Sequence, residues 1–148
     1  MVKKPENIFV DGPITAEAIS RSIQGDSSHT GIGAHSIFLG QVRADKIDGG
    51  TVIAIRYTAY EEMALEKAFE IREDIFAKYS LEGICIYHSL GEVKAGEISL
   101  FVFTSSKHRK AAIDACAETV ERLKKELPVW GKEITDKAGE NWKINTDS

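Results

Sequence analysis

The stretch from Gly83 to Ser106, "GICIYHSLGEVKAGEISLFVFTSS", limits the possible folds more than any other part of the chain. Two apolar, β-rich runs, 83–97 and 98–106, meet near Gly96 and read as a hairpin. Helical patterns stand on either side. Ala64, Ala68, Ile71, Ile75 and Tyr79 recur at helical intervals within about 59–79, and Thr58 and Glu61 have capping-box spacing. Downstream, Ile113, Cys116, Val120, Leu123 and Leu127 form an apolar stripe on a helix expected from about Lys107 to Glu126, which Pro128 ends. A hairpin held between two such helices points away from an alternating parallel design.

The remaining segments agree. "NIFV" (7–10) reads as a short strand, and "DGPIT" leads into a helix at about 15–24. "QGDSSHTG" (24–31) is a polar loop. "GAHSIFLGQVRAD" (33–45) is a strand, "KIDGG" its turn and "TVIAIRYTA" (51–59) the return. "VWGKEIT" and "NWKIN" suggest a last hairpin around "DKAGE". The sum is an α+β fold in one domain, 1–148, with a largely antiparallel or mixed sheet and two to three helices. A Rossmann fold is disfavoured, because no glycine-rich fingerprint follows the first strand.

With 148 residues the chain can bury a real core. Its formal charge of -4 disfavours nucleic acid as a partner, so any anion-binding surface must be a local patch. Cys85 and Cys116 lie in apolar segments with no CxxC spacing, as expected of reduced, buried thiols in a cytoplasmic protein. The N-terminus lacks a signal-peptide stretch, and no segment is long enough to span a bilayer. His29, His35, His88 and His108 lack metal-ligand spacing, and no GxSxG or Walker motif occurs.

The basic residues are more informative. At about 100° per residue, Lys124 falls about 70° from the centre of the last helix's apolar stripe, at its edge, and Lys125 about 170° away, in solvent. Lys124 can therefore border a pocket, although on the helix alone a lysine snorkelling along the core's rim explains it more simply. Lys107, His108, Arg109 and Lys110 crowd the helix's first turn, where its dipole disfavours cations. Arg109 projects near the centre of the apolar stripe by the same count. An anion site and an exposed basic turn account for this cluster equally well. Arg43 ends an apolar strand before a loop, a position that often carries function. Arg109 and Lys124 are separated along their helix by roughly 22 Å, too far for one small ligand. They serve separate sites, or a second copy of the chain brings its Arg109 to the first copy's Lys124.

Five motifs occur in order over almost the whole chain: "GAHSIFLGQVR", "YTAYEEMA", "HSLGEVKAGE", "SSKHRKAAIDA" and "LKKELPVWGKE" with a later tryptophan. Together they resemble the large, catalytic subunit family of molybdopterin synthase. The resemblance implies an α/β-hammerhead-like α+β subunit that forms a homodimer. A small ubiquitin-like sulfur carrier docks at each end and makes a heterotetramer. It also implies conversion of cyclic pyranopterin monophosphate to molybdopterin. Two sulfurs come from the thiocarboxylate of the carrier's C-terminal Gly-Gly, and the transfer needs no metal or other cofactor. By the same resemblance, Gln41, Val42 and Arg43 bind substrate, and His108 and Arg109 come from the neighbouring subunit. Lys124 meets the carrier's C-terminus, where it polarises the thiocarboxylate or accepts the acyl carbon. Gly131, Lys132 and Glu133 form the last substrate-binding stretch. Two positions depart from the family pattern. Gly131 stands where relatives often carry a functional lysine, so Lys132 is expected to supply that ammonium if Gly131 permits a bulge. His88-Ser89 replaces a His-Arg pair, which reads as a structural change. The rival class is a noncatalytic dimeric homologue that binds an anion or pterin in the same basic pocket.

Overall fold

The computed structural model describes residues 6–27, 29–137 and 140–142. Its elements run in the order β1 (Phe9–Asp11), α1 (Ala16–Ser27), β2 (Ala34–Gln41), β3 (Lys46–Ile47), β4 (Gly50–Ala59), α2 (Glu61–Lys78), β5 (Gly83–Lys94), β6 (Ile98–Ser106), α3 (Arg109–Glu126), β7 (Val129–Thr135) and β8 (Glu140–Trp142). The sheet order is β2-β6-β5-β4-β7-β8, with β1 beside β5 and β3 beside β4. Only the β1–β5 pairing is parallel among the described residues. The α+β expectation holds: three described helices accompany a mixed, mostly antiparallel sheet. Residues 143–145 of "NWKIN" lie outside the described residues.

The hairpin from 83 to 106 is the spine of the molecule. Gly96, at φ 92°, makes its turn in a conformation that favours glycine. β6 reads as a near-continuous apolar run because both of its faces are covered. Leu100 and Val102 join Ile71, Ile75, Cys116, Val120 and Leu123 beneath α2 and α3. Phe101 and Phe103 face the other way, against Ile19 and Ile23 of α1. Each fully buried isoleucine in this arrangement stabilises the fold by about 1.5–3 kcal/mol.

β5 serves two neighbours in turn. Gly83 to His88 pair with β6, and Gly91 to Lys94 pair with β4. The changeover is at Gly91, whose φ of 79° suits a residue without a side chain. Beyond the changeover lies a third core cluster of Val42, Val52, Ile55 and Val93.

Four local expectations are corrected. Thr58 does not cap α2, because it lies within β4 paired with Trp130. Tyr60 is the N-cap, without a side-chain bond, and Glu61 and Glu62 complement the dipole of the first turn instead. The strand expected over 33–45 ends at Gln41, just past a register shift between Gly40 and Gln41. Val42 then exchanges backbone bonds with Glu97 and Gly96, at 3.0 and 2.8 Å. Ile113 is 53% exposed, because α3 packs through the small side chains of Ala112, Ala115 and Thr119 together with Cys116, Val120 and Leu123. That rotates the buried face, and Arg109 is exposed rather than inserted. α3 also starts at Arg109 rather than Lys107, because Ser105 and Ser106 still belong to β6.

Candidate active site

The sheet and the C-terminal end of α3 enclose a cleft of 790 Å³. That is ample for a drug-sized ligand, since such sites typically measure about 300–1,000 Å³. The end of β2 contributes Gln41, the segment after it Val42 and Arg43, β4 contributes Ile55 and Tyr57, and β5 contributes His88. Ser99 and Leu100 come from β6, and Lys124, Lys125, Trp130 and Gly131 close the cleft from α3 and β7.

Leaving the ladder after Gln41 aims this segment at the cleft. Val42 is buried and anchors it, while Arg43 stays half exposed and pairs with Asp45 at 3.2 Å. Lys124 and Lys125 occupy the last turn of α3, where carbonyl groups favour cations. The helix is held firmly from behind. Arg122 bonds Asp74 of α2 at 2.7 Å and Glu126 at 2.6 Å, and Glu118 accepts from both Lys78 and Tyr79 at 2.7 Å. Glu126 is thereby committed to Arg122, which holds its carboxyl below the usual range. The cleft lining carries three cations and no carboxylate. A chain of net negative charge therefore presents one locally positive cavity.

Pro128 ends α3 as expected, and its carbonyl accepts the Tyr60 amide at 3.2 Å. Tyr60 and Trp130 then meet edge to face at 5.0 Å. β7 returns along β4 with Tyr57 opposite Gly131, Arg56 opposite Lys132 and Ile55 opposite Glu133. Side chains directly opposite share a face. Gly131 therefore faces the cleft with Tyr57, and Lys132 projects from the other face with Arg56. The only register shift between β4 and β7 lies between Val52 and Ala54, so Gly131 makes no bulge. The expectation that Lys132 turns back toward Lys124 is thus corrected by strand parity. A side chain at Gly131 would also be crowded, its Cβ lying 2.9 Å from Ile55 Cγ2 and 3.3 Å from the Tyr57 ring.

The structure accordingly brings together Gln41, Val42, Arg43, Lys124 and Gly131. Glu133 shares the cleft face of β7 but is not part of the lining. His108 and Arg109 are exposed at the opposite end of α3. The first turn there already has a partner for its Ala112 amide, the Ser106 hydroxyl at 3.1 Å, and Lys110 pairs with Asp114 at 2.9 Å. Lys125 lines the cleft mouth although it is exposed, which corrects its expected placement wholly in solvent.

Sequence reasoning missed the polar floor. The Tyr57 hydroxyl donates to Ser99 Oγ at 3.1 Å, and burial pushes its phenol up in pKa. His88 stands edge to face against Tyr57 at 5.3 Å and Phe9 at 6.2 Å. These residues could have been found as polar groups at inward positions of β4 and β5, where the alternation calls for apolar ones. No group of three or more His, Cys, Asp or Glu able to hold a metal occurs among the described residues. No helix of the described residues is long and apolar enough to cross a membrane.

Comparison with known proteins places this geometry. The family model described as MoaE protein matches residues 9–126. The molybdopterin synthase catalytic subunit of Pyrococcus abyssi (strain GE5 / Orsay) is 39% identical over 142 residues, covering 96% of this chain and 88% of that one. Some insect relatives are longer: the chain spans 32% of the Drosophila grimshawi molybdopterin synthase catalytic subunit, at 42% identity. Among solved structures, molybdopterin synthase from Staphylococcus aureus superposes with a TM-score of 0.77 at 30% identity, over 92% of this chain and 95% of that one. The complex of subunits 1 and 2 of molybdopterin-converting factor from Helicobacter pylori 26695 shares the fold, with a TM-score of 0.76 at 20% identity over 90% and 87%.

Proposed function

The chain belongs to the MoaE family, and from that premise we infer that it is the catalytic subunit of a molybdopterin synthase. In this reading the single domain spans the whole chain. It converts cyclic pyranopterin monophosphate to molybdopterin in the cytoplasm, as a step of molybdenum cofactor biosynthesis. It acts as a sulfurtransferase. The sulfur comes from the C-terminal thiocarboxylate of a small ubiquitin-like carrier, one sulfur per carrier. The observation that carries the reading is the cleft of 790 Å³, lined by three cations and no carboxylate, with Lys124 at its edge.

The arginine, the lysine and the glycine wall of the cleft have separate tasks in this reading. Arg43 and the backbone around Gln41 and Val42 receive the anionic substrate. The carrier's Gly-Gly tail enters extended, because a tail without side chains fits beside the Gly131 wall. Lys124 holds the thiocarboxylate and polarises its carbonyl, which needs no metal. His108 and Arg109 lie too far along α3 to reach the same ligand. In the homodimer, the partner subunit's His108 and the partner subunit's Arg109 complete the anion clamp. A carrier at each end gives a heterotetramer. Glu133 continues the substrate-binding stretch on the cleft face of β7, and the Lys132 side chain projects from the other face.

The tail supplies the reacting atoms, whereas most of a protein–protein interface lies outside one short segment. A carrier lacking its terminal glycine is therefore expected to bind with little loss yet support no sulfur transfer. Calorimetric titration and product analysis check this, and normal sulfur transfer from the truncated carrier would refute the thiocarboxylate route.

A further inference from the structure

His88 is a titratable group in the cleft to which the proposed mechanism assigns no task. It lines the cavity together with Lys124, partly open to it and enclosed by protein elsewhere. Its ring is fixed on three sides: by the edge-to-face contacts with Tyr57 and Phe9, and by Nδ1 lying 2.7 Å from the Ser89 carbonyl oxygen. A carbonyl can only accept, so Nδ1 carries the hydrogen and donates it. Nε2 is then the nitrogen with a free lone pair. Burial holds the imidazole below the ordinary histidine range, against the opposing pull of the Ser89 carbonyl and with help from the Lys124 charge. The neutral ring is thereby favoured, with the Nδ1–H tautomer selected by the Ser89 carbonyl.

Atom balance shows where such a group is needed. Once the thiocarboxylate sulfur has bonded to the substrate, it is still acylated by the carrier's last glycine. Release of the carrier requires cleavage of that thioester by water. We propose that His88 is the proton acceptor for this step, activating the water through Nε2. The water oxygen forms a bond to the acyl carbon as one of its protons passes to Nε2. The C–S bond breaks, and its electron pair leaves on sulfur as the substrate thiolate. The carrier departs as a carboxylate, and both protons of the water reach solvent, one of them through His88. Lys124 stabilises the oxyanion that forms at the acyl carbon. This assignment rests on the synthase reading above and names the base that the reading lacks.

The His88→Asn variant separates the two roles of the ring. The asparagine amide can still donate to the Ser89 carbonyl, but nothing replaces Nε2. We expect thermal melting to stay near that of the parent protein while kcat for molybdopterin formation falls about 100-fold or more, with KM little changed. The acylated carrier–substrate thioester should accumulate in mass spectra. Imidazole added to His88→Ala should recover part of the activity. In the parent protein kcat should fall on the acidic side as His88 gains its proton, and this limb should vanish in His88→Asn. The other charged or titratable groups lining the cleft are Arg43, Tyr57, Lys124 and Lys125. Tyr57 is held neutral by burial, and His108 of the partner subunit is the one further imidazole in the proposed site. Nitrogen NMR of His88 therefore assigns the titration directly, with the hydrogen expected on Nδ1 and Nε2 bare at pH 7. A hydrogen on Nε2, or unchanged turnover in a folded His88→Asn protein, overturns the proposal while leaving the synthase reading intact. A parent protein that forms no product with thiocarboxylated carrier overturns both.

Discussion

Replacing Lys124 with alanine is expected to lower turnover at least about 100-fold, the loss typical of a positioned catalytic group. The expectation rests on placement. Lys124 is half-buried at the cleft's edge on a helix held by the Arg122 and Glu118 contacts, which fix where its side chain leaves the backbone. Lys125→Ala is a control for charge alone. That side chain lies exposed at the cleft mouth, and its loss should cost less than about tenfold, mostly in carrier association and its salt dependence. Lys132→Ala should change turnover little, because its side chain projects from the other face of β7. All three variants should melt near the parent temperature, since none fills the core. Lys124→Arg sharpens the comparison. It keeps the charge but replaces a compact ammonium with a wide planar fork, and turnover should still collapse. A noncatalytic anion-binding module would tolerate that change. Equal losses at Lys124 and Lys125 would remove the basis for assigning one lysine.

The second large effect is a restoration. Arg109→Ala and Lys124→Ala homodimers should each be nearly inactive, because every site lacks one essential cation. Their residues lie at opposite ends of α3, roughly 22 Å apart, so under the proposed shared site each cleft draws them from different chains. A mixed dimer then has one site missing both cations and one site intact. Random reassortment of a two-fold dimer gives half mixed species with half their sites restored, so the mixture should recover about a quarter of parent activity. Native mass spectrometry establishes that mixed dimers have formed. Confirmed mixed dimers without activity, or a fully active monomer, would refute the shared site.

Much of the scaffold was legible because its signals are local. Gly96 marks the hairpin turn, Pro128 stops α3, and "VWGKEIT" coincides with β7. Errors arose where tertiary context outweighs local pattern. Thr58 and Glu61 have the spacing of a capping box, but pairing with Trp130 claims Thr58 for β4. The stripe on α3 was counted from its large apolar residues, whereas the helix packs closely through Ala112, Ala115 and Thr119, leaving Ile113 outside. The faces of Gly131 and Lys132 depend on strand parity, which only the partner strand fixes. Arg43 and Lys124 do line the cleft, and a strand end and a stripe edge are visible in sequence, although only the motif resemblance singled these two out. The floor of Tyr57, His88 and Ser99 was not legible, because its residues come from three strands that only the pairing of β5 with both β6 and β4 brings together.

The measurement closest to the central claim is sulfur incorporation in a purified system. The protein, a carrier bearing a C-terminal thiocarboxylate labelled with heavy sulfur, and cyclic pyranopterin monophosphate are combined without metal. Mass spectrometry should find a pterin product carrying two labelled sulfurs and two equivalents of carrier carboxylate for each product formed, with Lys124→Ala silent. Binding of carrier and pterin without any labelled sulfur in the pterin would contradict the account and leave only an anion-binding homologue.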